Sequence, residues 1–150
     1  MITDNMAVRP HIVIYVAAHF GQEAKLREAQ AGMEEEGVPS AWFVGAGDAV
    51  SLAGRGAAES PLGVGVGIAA EAMSVHYNKL PADKPLFVLP AGDGPPAWRR
   101  LGCNAARLVK GTPFRGPAAE QADGGDADRL AWLTGVVREI IRQKLDDHGR

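Results

Sequence analysis

Short apolar runs alternate with segments of helical spacing along the first part of the chain. Residues 11–18 (HIVIYVAA) form a near-continuous apolar run rich in β-branched residues, which is typical of a buried parallel strand. Residues 22–36 follow as a predicted helix whose apolar residues lie near one face: Ala24, Leu26, Ala29 and Met33. A second strand is predicted over 40–46 and a second helix over 48–59, capped by Asp48. The pattern therefore predicts two successive βα units.

The next segments change the connection. Strands are predicted over 62–70 and 74–78, and the few residues between them require an antiparallel hairpin. The proline-punctuated stretch 79–90 has room for a short edge strand, and 97–110 has helical spacing. Two βα units followed by a hairpin predict a mixed sheet with helices on its faces.

The C-terminal part has a different composition. Residues 116–127 are rich in Gly, Ala, Pro and Asp, which indicates a linker between a domain over 9–115 and a terminal segment. Residues 128–147 predict an amphipathic helix. Its apolar stripe consists of Leu130, Leu133, Val137, Ile140, Ile141 and Leu145.

Three consecutive glutamates stand at the end of the first predicted helix. Gly37 and the nearby Pro39 indicate that the helix ends there, which places Glu34, Glu35 and Glu36 in its last turn. Carboxylates at a helix C-terminus face the negative end of the macrodipole, at a cost of about 0.3–1 kcal/mol each. One interpretation is a solvated acidic helix end with tolerated repulsion. The other is that a single carboxylate meets a cation, since three successive residues span about 300° of a helix and cannot converge on one ion.

Composition removes several classes of function. The 150 residues are 46% hydrophobic, enough for one domain with a core, and the net charge of −2 does not favour nucleic-acid binding. Cys103 is the only cysteine, so the chain has no disulfide framework and no thiolate zinc site. No apolar run approaches the roughly 18 residues that span a membrane, and the N-terminus has no signal-peptide core. We therefore expect a cytoplasmic protein without a membrane partner.

Glycines at 63–68 (GVGVGI) suggest a dinucleotide site but alternate within a predicted strand. Such glycines more often mark close packing of a backbone or helix, whereas the nucleotide fingerprint needs them in a turn before a helix. The chain also has no GxxxxGK[ST] phosphate loop, so we do not expect it to bind or hydrolyse ATP by itself.

Isolated polar residues give weak signals for chemistry. The histidines (His11, His19, His76 and His148) show no metal-ligand spacing. His19 follows the first strand, where α/β sites usually lie, but a loop histidine without a partner is expected to be solvated. Cys103 is expected to be a small packing residue and Asn104 a candidate for hydrogen bonding to a nearby loop. Ser60-Pro61 indicates a turn.

Four blocks together resemble one family. They are GMEEEGVP (32–39), ESPLGVGVGI (59–68), VHYNKLPADKPLF (75–87) and GCNAARLVKGTPFR (102–115). They resemble the small subunit of the diol/glycerol dehydratase reactivating factor. The related medium (β) subunit of the dehydratase shares the EEEG and NAAR elements, but the HYNKLP and ARLVKGTPFR wording is closer to the reactivating factor.

The resemblance implies a fold and a role. The implied fold is a three-layer α/β/α sandwich on a mixed, mostly parallel five-stranded sheet with one antiparallel strand, like anticodon-binding domains. The implied role is that of a non-catalytic subunit, partnered by a large ATPase subunit. Such a factor releases damaged cobalamin from coenzyme B12-dependent dehydratase, through exchange of the small subunit with the dehydratase β subunit. No direct cobalamin binding is expected.

The resemblance also implies a metal ligand. By position Glu35, the middle glutamate, would reach a Mg²⁺ shared with the large subunit, whereas Glu34 and Glu36 fit this role less well. Such a contact would explain why the helix end is anionic, since this end would dock onto a cation held by the partner.

Two features depart from the family pattern. Trp42 and Phe43 have no clear counterpart, and residues 116–150 extend beyond the usual end of the small subunit. A linker followed by a short amphipathic helix resembles the peptides that carry enzymes into bacterial microcompartment shells. Packing of 128–147 on the domain itself or on a neighbouring subunit is the alternative.

Two other functions remain as alternatives. A medium/β-type structural subunit of the dehydratase would need additional cobalamin-contacting segments. A small-molecule enzyme on a flavodoxin-like sheet would need a convergent acid–base or nucleophile set, and the sequence shows none.

Overall fold

The computed structural model describes residues 9–116, which form a five-stranded sheet with three α-helices. The strands are β1 (Ile12–Val16), β2 (Ser40–Val44), β3 (Val64–Ile68), β4 (Ala72–Tyr77) and β5 (Phe87–Pro90). The helices are α1 (Gln22–Glu35), α2 (Ala49–Glu59) and α3 (Pro95–Lys110), with a 3₁₀ turn at Ala91–Asp93. The predicted terminal helix over 128–147 and the predicted linker beyond Gly116 lie outside the described residues.

The sheet is mixed, as the pattern of connections predicts. Its strand order is β2-β1-β3-β4-β5. β1 pairs in parallel with both β2 and β3, whereas β4 pairs antiparallel with β3 and with β5. β4 therefore runs against the other strands, and the predicted hairpin is the β3–β4 pair.

The main core lies between one face of the sheet and the helices α1 and α3. Alternate residues of β1, β3 and β4 point to this face because successive side chains of a strand point to opposite sides. The fully buried members are Ile12, Ile14, Val16, Val64, Val66, Ile68, Met73 and Val75. They pack with Leu26, Ala29 and Met33 of α1 and with Leu101, Ala105 and Ala106 of α3. Of the four apolar residues predicted to share one face of the first helix, Leu26, Ala29 and Met33 are buried, whereas Ala24 is exposed.

Helix α2 covers the opposite face and explains the glycines of β3. A Cβ at Gly65 would collide with the backbone of Ala53 and Ala57, and one at Gly67 with the backbone of Ala49. The missing side chains let the α2 backbone lie directly on the strand. The interpretation of this motif as a close-packing site is confirmed by this contact.

Helix α1 ends in the manner that Gly37 predicts. Gly37 has a φ of +76°, a left-handed conformation that favours glycine. Its N–H donates to the Glu34 carbonyl at 3.0 Å, and the N–H of Val38 donates to the Met33 carbonyl at 3.0 Å. These two bonds form a Schellman motif. Glu34 and Glu35 lie in the last turn, and Glu36 is the C-cap residue.

Some element boundaries differ from the prediction. β4 begins at Ala72 rather than at 74, and α3 begins at Pro95 rather than at 97. Proline is accepted in the first turn of a helix because the N–H that it lacks has no intrahelical partner there. Among the helices of residues 9–116, none is long and apolar enough to cross a membrane.

Candidate functional site

Two glycines bring α1 and α3 into backbone contact. A Cβ at Gly32 of α1 would collide with the carbonyl of Arg99, and one at Gly102 of α3 would collide with the carbonyl of Ala29. Only residues without a side chain permit this approach. The close contact places the acidic C-terminal end of α1 beside polar and basic side chains of α3.

Glu36 is held by two cations of α3. Its carboxylate accepts hydrogen bonds from Arg107 Nε at 2.9 Å and from Lys110 Nζ at 2.7 Å. The Glu36 side chain is only 11% exposed, and these partners, with Lys110 first, hold the pKa of its carboxyl below the ordinary value. The interpretation of a solvated, self-repelling helix end is therefore wrong for Glu36. The sequence does not show this because Arg107 and Lys110 lie about seventy residues further along the chain.

Glu35 lies at the surface of the same seam and has a looser partner. Its Oε2 lies 3.3 Å from Arg99 Nη1, and both side chains are nearly half exposed, at 43% and 48% respectively. Arg99 also donates from Nε to Glu28 at 2.9 Å. Because exposed ion pairs contribute little to stability, the Glu35 carboxylate can exchange this partner at small cost.

Cys103 lies beneath Glu35. It is buried, and its S–H donates to Glu35 Oε1 at 3.5 Å. Burial, and then the hydrogen bond to Glu35, raises the pKa of the thiol above its ordinary value. A protonated thiol is a poor nucleophile, so the interpretation of Cys103 as a packing residue agrees with its surroundings.

Asn104 fixes the segment that follows α3. Its side chain is buried, donates from Nδ2 to the Arg115 carbonyl at 2.9 Å and accepts from the Arg115 N–H at 2.6 Å. The predicted hydrogen bond between Asn104 and a nearby loop is confirmed. The pair of bonds sets the backbone of Arg115 beside the seam, where Arg115 Nη1 lies 3.9 Å from Cys103 Sγ.

These residues enclose a cleft of about 380 Å³ along the seam. Its walls are formed by Glu28 and Glu35 of α1, Pro95, Pro96, Arg99, Arg100 and Cys103 of α3, and the segment Arg115–Gly116. We call it the seam cleft. Sequence reasoning singled out Glu35 and Cys103 of this cleft but missed Arg99, Arg100 and Arg115, because they lie more than sixty residues from Glu35 along the chain.

The seam cleft could supply one protein ligand, the Glu35 carboxylate, to a magnesium site. Residues 9–116 contain no group of three or more His, Cys, Asp or Glu side chains placed to hold a metal. Glu35 nonetheless offers an accessible carboxylate, and Mg²⁺ commonly takes one or two carboxylates at a site. The arginines around Glu35 repel a bare cation, so an ion here would need most of its anionic ligands from another molecule.

Glu34 points away from the seam cleft. It is exposed and lines a different hollow, on the far side of α1, together with Arg27 and Trp42. The three glutamates therefore face three different surroundings, as their angular spacing on a helix predicts.

His19 is not simply solvated, which corrects the prediction. Its Nε2 lies 3.0 Å from Lys25 Nζ, and its Nδ1 faces the Ala17 carbonyl. Lys25 is buried and also donates to the carbonyls of Ala69 and Ala70, at 3.1 and 3.2 Å. Lys25 thus joins the loops that follow β1 and β3, a contact that the loop sequence around His19 does not reveal.

The remaining singled-out residues have structural partners. His76 is buried with its ring nitrogens facing the carbonyls of Tyr77 and Ala82 at 2.9 and 3.2 Å. His11 Nδ1 faces the Arg9 carbonyl at 2.8 Å. Ser60 Oγ donates to the His11 carbonyl at 2.6 Å and accepts from the Leu62 N–H at 3.0 Å, which closes the predicted turn. His148 lies outside the described residues.

Comparison with known proteins assigns the family. Residues 9–115 match the model of the family described as "Dehydratase medium subunit". The chain belongs to this family. The match covers the sheet, its three helices and nearly all of the seam cleft.

Three curated relatives of this chain are described as small subunits of dehydratase-reactivating factors. The chain is 44% identical over 103 residues to the diol dehydratase-reactivating factor small subunit of Klebsiella michiganensis, covering 68% of this chain and 82% of the relative. It is 43% identical over 110 residues to the propanediol dehydratase-reactivating factor small subunit of Citrobacter freundii, covering 71% and 90%.

Two solved structures of this kind share the fold. A chain in the structure of a diol dehydratase-reactivating factor complexed with ADP and Mg²⁺ has a TM-score of 0.67 and 43% identity, covering 73% of this chain and 100% of that one. A chain of a glycerol dehydratase reactivase has a TM-score of 0.68 and 33% identity, covering 72% and 98%. The chain is thus similar to the reactivating-factor branch in both sequence and structure.

Proposed function

We propose that this chain is the non-catalytic small subunit of a chaperone-like reactivating factor for coenzyme B12-dependent diol or glycerol dehydratase. In this role it assembles with a large ATPase subunit, exchanges with the dehydratase β subunit, and so lets damaged cobalamin leave. The observation that carries the proposal is the 43–47% identity to reactivating-factor small subunits. The chain itself binds neither ATP nor cobalamin in this scheme.

Glu35 is the proposed Mg²⁺ ligand at the interface with the large subunit. Its exposure, its position at the lip of the seam cleft and its replaceable Arg99 partner support this role. Glu36 is engaged with Arg107 and Lys110, and Glu34 faces away, so neither competes for the same position. The ion's remaining ligands would come from the large subunit.

We also propose a finer assignment of the fold and of the domain boundaries. A three-layer α/β/α sandwich of the anticodon-binding-domain type is supported by α2 on one sheet face and α1 with α3 on the other. The domain would span 9–115, followed by a flexible linker (116–127) and an amphipathic helix (128–147). That helix would carry the cytoplasmic protein into a microcompartment shell, with its apolar stripe as support.

The alternative role is a medium/β-type structural subunit of the dehydratase itself, which the family description also covers. The two reactivating-factor small subunits aligned above favour the first role, because this chain covers 82% and 90% of their lengths. Stable co-purification with a dehydratase α subunit and bound cobalamin, without an ATPase subunit, would favour the alternative.

The experiment that tests the role measures reactivation. Dehydratase that holds damaged cobalamin is incubated with the large subunit, ATP, Mg²⁺ and fresh coenzyme, with or without this chain. We expect activity to return only when both subunits are present. No gain on adding the chain, with a large subunit that works with its own small subunit, would contradict the proposed function.

The Mg²⁺ ligand is tested by binding of the large subunit. Glu35→Gln keeps the size of the side chain but removes its charge, so Mg²⁺-dependent association should weaken. Glu34→Gln is the matched control because Glu34 lies one residue away and outside the seam cleft. Equal binding of both variants and of Glu36→Gln would refute the cation role.

A further inference from the structure

Two of the arginines that line the seam cleft have no acidic partner among residues 9–116. The cleft is lined by three arginines and two glutamates, Glu28 and Glu35. Arg99 pairs with both glutamates. Within residues 9–116, neither Arg100 nor Arg115 has a carboxylate partner, although both line the same cleft. The cleft therefore carries a net charge of +1.

The fold fixes the backbone positions of Arg100 and Arg115. Arg100 follows Arg99 in α3, close to the contact between α1 and α3. Arg115 lies in a loop, but buried Asn104 binds its backbone on both sides of the residue. The backbone of Arg115 is therefore fixed at the edge of the cleft, whereas its exposed guanidinium group can change its orientation.

We propose that Arg100 and Arg115 form a carboxylate-binding rim that docks acidic side chains of the large subunit around the Glu35 contact. This inference rests on the proposed function and extends it from one glutamate to a surface. Guanidinium groups bind carboxylates through paired N–H donors. The partner surface that fits is acidic, with at least two carboxylates near the cation.

Electrostatics explains why the arginine rim and the Glu35 carboxylate would act together. A cation approaching Glu35 alone meets a cleft of net positive charge, which opposes binding. A cation already surrounded by a partner's carboxylates presents acidic groups instead, and the free arginines then attract the assembly. The rim thus makes Glu35 selective for an ion that the partner holds, over free Mg²⁺ in solution.

Charge reversal tests the rim. The variants are Arg100→Glu and Arg115→Glu, with Arg27→Glu as the control because Arg27 is an exposed arginine on the far side of α1. The dissociation constant for the large subunit is measured with Mg²⁺, at low and physiological salt, with and without ADP. Melting temperatures establish that each variant is folded, and Arg115→Gln serves as a milder change at the exposed position.

The proposal predicts a position-dependent loss. Each rim variant should weaken binding at least about tenfold at low salt and less at higher salt, because like charges across an interface are costly and are screened by ions. Arg115→Gln should weaken it about two- to fivefold, as expected for an exposed pair, and Arg27→Glu should change it by less than about twofold.

Three results would overturn the rim. These are no effect at either position, an equal effect of all three charge reversals, and an effect only with ADP, which would assign the arginines to a nucleotide phosphate. If Glu35→Gln weakens binding while the rim variants do not, the rim fails and the proposed function stands. If the unaltered chain does not bind the large subunit at all, both fail.

Discussion

The carboxylate of Glu36 lies 2.7 Å from the ammonium of Lys110. The contact joins the C-terminal end of α1 to that of α3, and Arg107 adds a second donor at 2.9 Å. The positive charges of Lys110 and Arg107 thus offset the unfavourable interaction between the Glu36 carboxylate and the macrodipole of its own helix. Glu36 stabilises the domain, whereas Glu35 is left accessible.

Glu36→Gln should destabilise the domain by about 1–2 kcal/mol, since hydrogen bonds to charged groups contribute more than neutral ones and the site is largely shielded. Urea unfolding followed by circular dichroism measures the change. Glu34→Gln is the control and should change the free energy of unfolding by less than about 0.5 kcal/mol, because Glu34 is exposed. Equal effects would mean that the pair with Lys110 and Arg107 adds nothing.

The stability should also depend on pH through Glu36. Its folded-state pKa is lowered, so the folded chain releases this proton more readily than the unfolded chain. The stabilisation is therefore complete above the ordinary value of about 4.5 and is lost as the pH falls through the folded-state value. Unfolding measured from pH 6 to pH 3 should show a shallower acid loss in Glu36→Gln than in the unaltered chain. Superimposable profiles would contradict this assignment.

Asn104→Ala should loosen the loop at Arg115. The substitution removes the acceptor for the Arg115 N–H and the donor to its carbonyl, at a cost of about 1–3 kcal/mol for the groups left unpaired. Hydrogen exchange should accelerate at the Arg115 amide. In Asn104→Asp the acceptor remains, so that amide should stay protected; equal acceleration in both variants would show that Asn104 does not fix the loop.

Gly65→Ala should be strongly destabilising because its Cβ would collide with the α2 backbone. We expect a loss of about 1–3 kcal/mol or more, as for overpacked cores. Gly54→Ala on α2 is the matched control, since its Cβ would lie 3.8 Å from His76 Cδ2. Alanine there should stabilise the helix by up to about 1 kcal/mol. Thermal unfolding of the two variants should shift in opposite directions.

Deletion of 117–150 tests the role of the terminal segment. If 128–147 is a targeting helix, the truncated chain should melt at nearly the same temperature and still support reactivation. A reporter fused to 117–150 should associate with microcompartment shells, and the same reporter without it should not. A large loss of stability on truncation, with an unchanged location of the reporter, would place the segment in the fold instead.

The order and type of the elements follow from the sequence alone. Apolar runs such as 11–18, helical spacing in 22–36 and the signals at Asp48 and Gly37 act through residues only a few positions apart. The antiparallel β4 also follows, because the connection after β3 is too short for a crossover. Even the glycines of β3 were interpretable, since a strand without side chains must lie close to another backbone.

Only the tertiary structure decided what the charged residues do. Glu36 and Lys110 are 74 residues apart in the sequence but form an ion pair. Asn104 binds the backbone of Arg115 in the segment after α3, and Lys25 contacts His19 in the loop after β1. The contact between Glu36 and Lys110 depends on how closely α1 approaches α3, which Gly32 and Gly102 set jointly. A local sequence pattern does not encode a distance between residues of two different helices. The sequence therefore predicts that the three glutamates point in different directions, but only the packing shows that Glu36 has internal partners and that Glu35 lines the cleft.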